Sequence, residues 1–433
     1  MAVWRHACSW YSVLSMKRVL LISYAFPPEP LPGAQRPGYL ARYLPKFGWQ
    51  PTVITPQRAA PPFPTEIASA GTAAPLPQLE RVRALLPGGP VRRALAAIKD
   101  TLLFPDELAP WIRPAVLAGL GAMRRQRYDA ILSTALPTSA HVVGGMLSRF
   151  TGVPWIADYR DLWSGNPYMP WSARKRRLQR VAERRILARA AALTTISQPL
   201  AEQLQALHRK EVSVIPNAFD AAEWSSIPDE RPTGFDFVYA GMLYGGKRNP
   251  QMFLEALRRL KDEGHPLARA ARVHFYGKDN DAALEHARNL GLEEQVFIHG
   301  MVSRERAMQA QRRAAVLLIF LSMDPATANE TGSKYLEYLG ARRPMLVFGH
   351  AKSVMREMME ALGAGFFAST PEEAVHALKA SYARFESGVY ETAPNMSAVT
   401  TAEAMAGLFA QRLDRIALSG SGTPNLYEAA LRS

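Results

Sequence analysis

Residues 328–349 read ANETGSKYLEYLGARRPMLVFG. Thr331, Gly332 and Ser333 have the small, hydroxylated character of a helix opening, where exposed amides and hydroxyls suit an anion such as a diphosphate. Lys334 and Glu337 stand three residues apart and share one face of the helix that follows. A solvated helix pair is the ordinary alternative for them. Pro344–Phe348 then forms an apolar run without alternation, as expected of a strand covered on both faces.

The same pattern of short apolar run, turn and helix recurs outward in both directions. In the N-terminal half the runs are Arg18–Ser23, Pro51–Thr55, Ala130–Ser133, Pro154–Asp158, Leu193–Ile196 and Val212–Ile215. In the C-terminal half they are Phe235–Ala240, Arg272–Tyr276, Gln295–His299, Val316–Leu321 and Pro344–Phe348. Strands that alternate with helices predict an α/β fold with parallel sheets. The chain has 433 residues, enough for two domains of about 150–200 residues each. The polar, proline-bearing stretch Pro216–Thr233 marks the join. We expect a tail over 1–16 (or an overcalled start), one Rossmann-like domain over 17–220 and a second over 221–395. A helical segment over 396–433 is expected to pack back on the first domain; Met405, Leu408, Phe409, Leu413 and Ile416 lie near helical spacing in it. Residues 59–77, rich in Pro and Ala, read as a surface excursion or lid.

Composition excludes some classes. Hydrophobic residues make up 48% and charged residues 21% of the chain, which argues against disorder. The lone Cys8 rules out an internal disulfide framework and Cys-rich zinc sites, and fits a reduced, cytoplasmic setting. No apolar run reaches the roughly 18 residues needed to cross a bilayer. The net charge of +14 predicts an anionic partner without choosing among nucleotide, lipid and nucleic acid.

Further candidate positions fall at strand ends. After the first strand, Gly33 opens a helix and Arg36 adds a positive charge, so both are candidates to line a sugar or anion site. IADYRDLW places Asp158, Arg160 and Asp161 at the end of a buried strand, where they either meet a ligand or form a self-contained ion-pair knot. FVYAGMLYGGKRNPQMF supplies Gly241, Gly245 and Gly246 and then Lys247-Arg248, cations suited to a diphosphate leaving group. His141 is equally a near-site or a core residue. Asp279-Asn280-Asp281 has the spacing of a metal-binding motif, but Asp281 reads better as a helix N-cap, and no metal site is expected. Arg174–Arg189 holds eight basic residues and one acid; Leu178, Val181, Ile186 and Leu187 read as its apolar side, suited to an anionic membrane. Nucleic acid is not expected there, because aromatic stacking residues are not interleaved.

Taken in order, FPPEPLPGAQR, FPDELAPW, ADYRDLW, SVIPNAFD and KYLEYLGARRPML resemble the family 4 retaining glycosyltransferases, from about Lys17 to Ala417. The resemblance is closest to members that build bacterial surface polysaccharides. It implies the two-Rossmann GT-B architecture, with parallel sheets facing an interdomain cleft. It also implies transfer of a sugar from a UDP- or GDP-linked donor to a glycan or lipid-linked acceptor, with no cofactor or metal, at the inner face of the plasma membrane. By the same resemblance, Glu337 holds the donor ribose and Lys247 or Arg248 faces the diphosphate. Gly241, Thr331, Gly332, Ser333 and Lys334 complete the donor side. Arg160, where many relatives place a histidine, lies near the transferred sugar with Asp161. Asn329 stands where relatives have a glutamate, with Glu330 one place late, and Met242 stands where they have an arginine. Those departures keep a non-catalytic nucleotide-binding protein in view, and a nucleotide-sugar epimerase is the other alternative.

Overall fold

The computed structural model describes residues 16–29, 32–56, 60–71, 104–167, 169, 171–328 and 332–420. The chain divides into two compact units, residues 1–216 with 403–433, and residues 217–402.

The first unit is built on seven parallel strands: β1 (Lys17–Ile22), β2 (Trp49–Thr55), β3 (Glu66–Ser69), β4 (Ala130–Ala135), β5 (Trp155–Tyr159), β6 (Ala192–Thr195) and β7 (Val212–Val214). Their order in the sheet is β3-β2-β1-β4-β5-β6-β7. Helices α1 (Gln35–Tyr43), α2 (Ile112–Arg125), α3 (Ser139–Thr151), α4 (Ala173–Leu187) and α5 (Gln198–His208) connect them. β4 is buried at every position and β1 at its last four, which explains why their sequences do not alternate. The C-terminal helix, Ala402–Gly420, belongs to this unit from Glu403 onward. It buries Met405, Phe409 and Leu413, and its Asp414 accepts from Lys17 Nζ at 2.7 Å and Trp49 Nε1 at 3.0 Å.

The second unit has six parallel strands: β8 (Asp236–Ala240), β9 (Arg272–Tyr276), β10 (Val296–Gly300), β11 (Val316–Phe320), β12 (Met345–Phe348) and β13 (Gly365–Ala368), in the order β10-β9-β8-β11-β12-β13. Its helices are α6 (Gln251–Asp262), α7 (Pro266–Ala270), α8 (Asp281–Asn289), α9 (Arg304–Arg313), α10 (Lys334–Ala341), α11 (Val354–Leu362) and α12 (Pro371–Glu386). A cluster of buried aromatic rings, including Phe237, Tyr239, Phe253, Phe275, Phe320 and Phe348, fills the core on one face of the sheet.

Every apolar run named above forms a strand. Two strands were not anticipated, and both are sheet edges. β3 lies inside the stretch expected to be irregular; Glu66 and Ser69 are exposed and the other two residues only half-buried, so no apolar run betrays it. β13 is likewise half-buried over most of its four residues. In each sheet the strand order reverses once, at β1/β4 and at β8/β11. The carboxyl ends flanking such a reversal are where open α/β sheets take ligands.

Candidate functional site

In the first unit the loops that leave β1 and β4 flank the reversal. Arg160, just past β5, ties them together. Its Nε donates to the Ala135 carbonyl at 2.6 Å and its Nη2 to that of Leu136 at 2.8 Å. Its Nη1 donates to the Gly33 carbonyl at 2.6 Å. A Cβ on Gly33 would lie 3.0 Å from that guanidinium, so glycine lets the loop close on it. The side chain expected near the sugar is therefore engaged on backbone, while Asp161 is exposed.

Arg36 and Asp158, expected to line a sugar, are buried and spent on each other. Arg36 Nε and Nη2 each reach an oxygen of Asp158 at 2.9 Å, a bidentate pair. Thr134 and Thr194 donate to the same carboxylate at 2.9 and 2.8 Å. Arg36 also donates to the carbonyls of Ile215 and Pro216 at 2.9 Å. Burial alone would raise the Asp158 pKa; the Arg36 guanidinium and the threonine hydroxyls outweigh it and hold the group below its usual range. This is the ion-pair knot, with a partner 122 residues away rather than Arg160. The lining role assigned to Arg36 and Asp158 gives way to a structural one, because neither keeps a polar atom for a ligand.

His141 sits in the core of the unit. Its Nδ1 is 2.8 Å from Ser133 Oγ, its ring centroid is 4.7 Å from that of Tyr159, and burial lowers its pKa to about 4. The ring is fully buried, so the core alternative describes it.

In the second unit, the loops after β8 and β11 flank the reversal, and several of the predicted donor residues among those described meet there. Gly241 follows β8. A Cβ placed on it would lie 2.7 Å from Lys334 Nζ, which comes from the start of α10. The Lys334 ammonium is 5.5 Å from the ring centroid of Tyr239 and 5.7 Å from that of Tyr338. Burial lowers its pKa to about 8; Glu337 opposes that shift, and the positive charges of Arg248 and Arg304 add to it. Glu337 thus compensates the ammonium only in part.

Glu337 lies one turn along α10. Gln311 Nε2 donates to its Oε1, and Arg304 Nη1 lies 3.4 Å from its Oε2. Arg304 also pairs with Glu223 at 2.7 Å. Arg248 lies over the Tyr244 ring, 4.6 Å from its centroid, and Lys247 beside it is exposed. Gly332, with φ of 62°, turns the chain into α10, and Ser333 stands at the cap position without a side-chain cap bond. The first-turn amides of any helix lack partners within it. Thr331, Asn329 and Glu330 lie outside the described residues. Sequence reasoning missed Arg304, Gln311 and Tyr239, whose only signal is their neighbourhood in the fold.

The capping role expected of Asp281 is also corrected. Asn280 occupies the cap position of α8 without a side-chain cap bond, and the Asp279 carboxylate accepts from the Gly245 amide at 2.5 Å. Among the described residues no group of three or more His, Cys, Asp or Glu is placed to hold a metal.

The basic helix α4 differs from expectation. Gln179, Glu183 and Leu187 form its buried stripe, whereas Leu178 and Val181 are 59% and 42% exposed. Leu178 and Leu187 are nine residues apart, about half a turn out of phase, so they cannot share an apolar side. Among the described residues no helix is long and apolar enough to cross a membrane.

Comparison with known proteins agrees with the fold. Residues 33–218 match the family described as glycosyl transferase 4-like domain, and residues 234–384 match the glycosyl transferases group 1 family. No curated protein matches the chain. Among solved structures, a sucrose-phosphate synthase from Thermosynechococcus elongatus aligns with a TM-score of 0.52 at 14% identity, covering 96% of this chain and 99% of that one. A glycosyltransferase from Rickettsia africae gives 0.51 at 10% identity, covering 93% and 96%. A UDP-GlcNAc 2-epimerase from Methanocaldococcus jannaschii gives 0.51 at 10%, covering 92% and 100%. At such identities these three share the GT-B fold with the chain and nothing more specific.

Proposed function

We propose that this glycosyltransferase, with one domain of the 4-like family and one of the group 1 family, moves a sugar from a UDP- or GDP-linked donor to a glycan or lipid-linked acceptor, with retention and without a catalytic metal. The observation that carries the donor side is the meeting of Gly241, Lys334, Arg248 and Glu337 at the strand reversal of the second unit. In the proposed complex Glu337 accepts from the ribose hydroxyls. Lys247, Arg248, Lys334 and the amides of Gly332 and Ser333 surround the diphosphate. As the sugar–phosphate bond breaks, negative charge builds on the leaving diphosphate, and these cations and amides stabilise it without a divalent ion.

A thermal-shift screen of nucleotide sugars tests this reading, since a bound donor stabilises the folded state by mass action. UDP- or GDP-sugars should raise the melting temperature in the presence of a chelator, and Glu337→Ala should lose most of that rise. An unchanged rise removes the ribose assignment. Sugar transfer that requires an acceptor separates this activity from an epimerase, which converts the donor alone. Binding without turnover on any acceptor would favour the non-catalytic alternative.

The acceptor side of the proposal includes peripheral contact with an anionic membrane through α4, whose exposed Leu178 and Val181 stand among arginines. Flotation with vesicles containing about one-third anionic lipid should recover the protein, and Leu178→Asp/Val181→Asp should abolish recovery. Equal recovery of the variant excludes this helix.

A further inference from the structure

The turn that carries Lys247 and Arg248 holds one residue, Tyr244, in a conformation it does not favour. Tyr244, Gly245 and Gly246 have φ of 51°, 61° and 84°. The left-handed region costs a tyrosine roughly 1–2 kcal/mol. Such strain persists only where neighbouring structure enforces it.

Here the neighbour is the loop between β9 and α8. Asn280 Nδ2 donates to the Gly241 carbonyl at 3.0 Å, while the Gly241 amide donates to the Tyr276 carbonyl at 2.7 Å. Asn280 is 1% exposed, so its amide group is fixed in place. At the far end of the turn, the exposed Asp279 carboxylate accepts from the Gly245 amide. The two loops approach so closely that a Cβ on Gly277 would lie 2.3 Å from the Gly241 carbonyl oxygen, which requires glycine there.

We propose that Asp279 and Asn280 are positioning residues for the donor site: together they clamp the 241–248 turn and so set where Lys247 and Arg248 stand. The proposal rests on the reading of this turn as the diphosphate side of the site. Asp279 and Asn280 themselves act through the backbone of the turn rather than on the donor.

A rival role for Asp279 predicts the opposite sign. A carboxylate on the Gly245 amide could occupy a place that a phosphate oxygen would otherwise take, and its removal would then tighten donor binding. Asp279→Asn separates the two, because asparagine keeps an oxygen to accept from Gly245 while losing the charge.

The test uses the full chain with Asp279→Ala, Asp279→Asn and Asn280→Ala. Hydrogen–deuterium exchange of the peptide spanning 241–248, read without nucleotide, should quicken in Asp279→Ala and Asn280→Ala and stay slow in Asp279→Asn. With the UDP- or GDP-sugar that stabilises the wild type, the two alanine variants should raise the donor KM about five- to tenfold, the loss expected for one hydrogen bond. Their kcat should fall as well, because a displaced Lys247 no longer meets the charge that develops on the leaving diphosphate, and Asp279→Asn should keep both near wild type. Tighter donor binding by Asp279→Ala overturns the clamp in favour of the rival. Wild-type exchange in all three variants, or Asp279→Asn behaving as Asp279→Ala, also overturns it. If Asn280→Ala fails to fold, the exposed Asp279 pair carries the test. Because exchange needs no ligand, the clamp is judged even if no nucleotide sugar binds, an outcome that would sink the functional reading instead.

Discussion

The two units repeat one plan, a parallel sheet whose strand order reverses once, with a glycine-bearing loop leaving the strand beside the reversal. They use charge in opposite ways. In the first unit Arg36, Asp158 and Arg160 are consumed by the protein: two in a buried pair, the third on three carbonyls. In the second unit Lys334 rests over aromatic rings with its charge disfavoured by burial and by neighbouring arginines. Charge that is already compensated builds a rigid rim; charge that is compensated only in part is what the proposed donor site uses. The comparison teaches that charged residues at a strand end mark a site only when their partners are known.

The largest effect that would break this contrast is on stability. Asp158→Ala leaves Arg36 buried and unpaired and should cost about 3–5 kcal/mol, read by denaturant unfolding. Arg36→Met with Asp158→Leu should recover much of that loss. Because the folded-state pKa of Asp158 is depressed, its contribution is present above the ordinary aspartate pKa and is lost as pH falls through the folded value. If Asp158→Ala folds as stably as the wild type but loses transfer activity, the knot is a site after all.

Lys247→Ala should have the reverse profile, a melting temperature near wild type with kcat lowered about 100- to 1,000-fold, the loss of one preorganised donor at a developing anion. A smaller and more specific effect sharpens the assignment of Lys334. With a folded pKa of about 8, its ammonium deprotonates as pH rises through that value, so nucleotide diphosphate affinity should fall, by up to about tenfold per pH unit. Lys334→Arg, which stays charged, should flatten the profile between about pH 8 and 10. A flat wild-type profile would place Lys334 away from the phosphates.

Much of the fold was legible because buried parallel strands leave a mark in sequence: β11 is apolar throughout, and β4 and β5 show no in–out alternation, since both faces are covered. β3, with the sequence EIAS, left no such mark because it is half-solvated; β13, GFFA, is too short an apolar run to stand out. In the second unit, the proximity of Gly241, Lys334 and Glu337 follows from placements the sequence shows, after a strand and at a helix start. The clamp of Asp279 and Asn280 was not legible, since the same residue types serve as helix caps and turns anywhere.

By itself the sequence determined the alternation of strand and helix, and with it two Rossmann-like units, because burial on both faces of a sheet dictates residue type locally. Which charges are compensated was decided only by tertiary structure. Arg36 and Asp158 meet across 122 residues, and α4 turns Gln179 and Glu183 inward and Leu178 outward. Pairing and facing depend on what the fold brings alongside, and no local pattern encodes a partner that far along the chain.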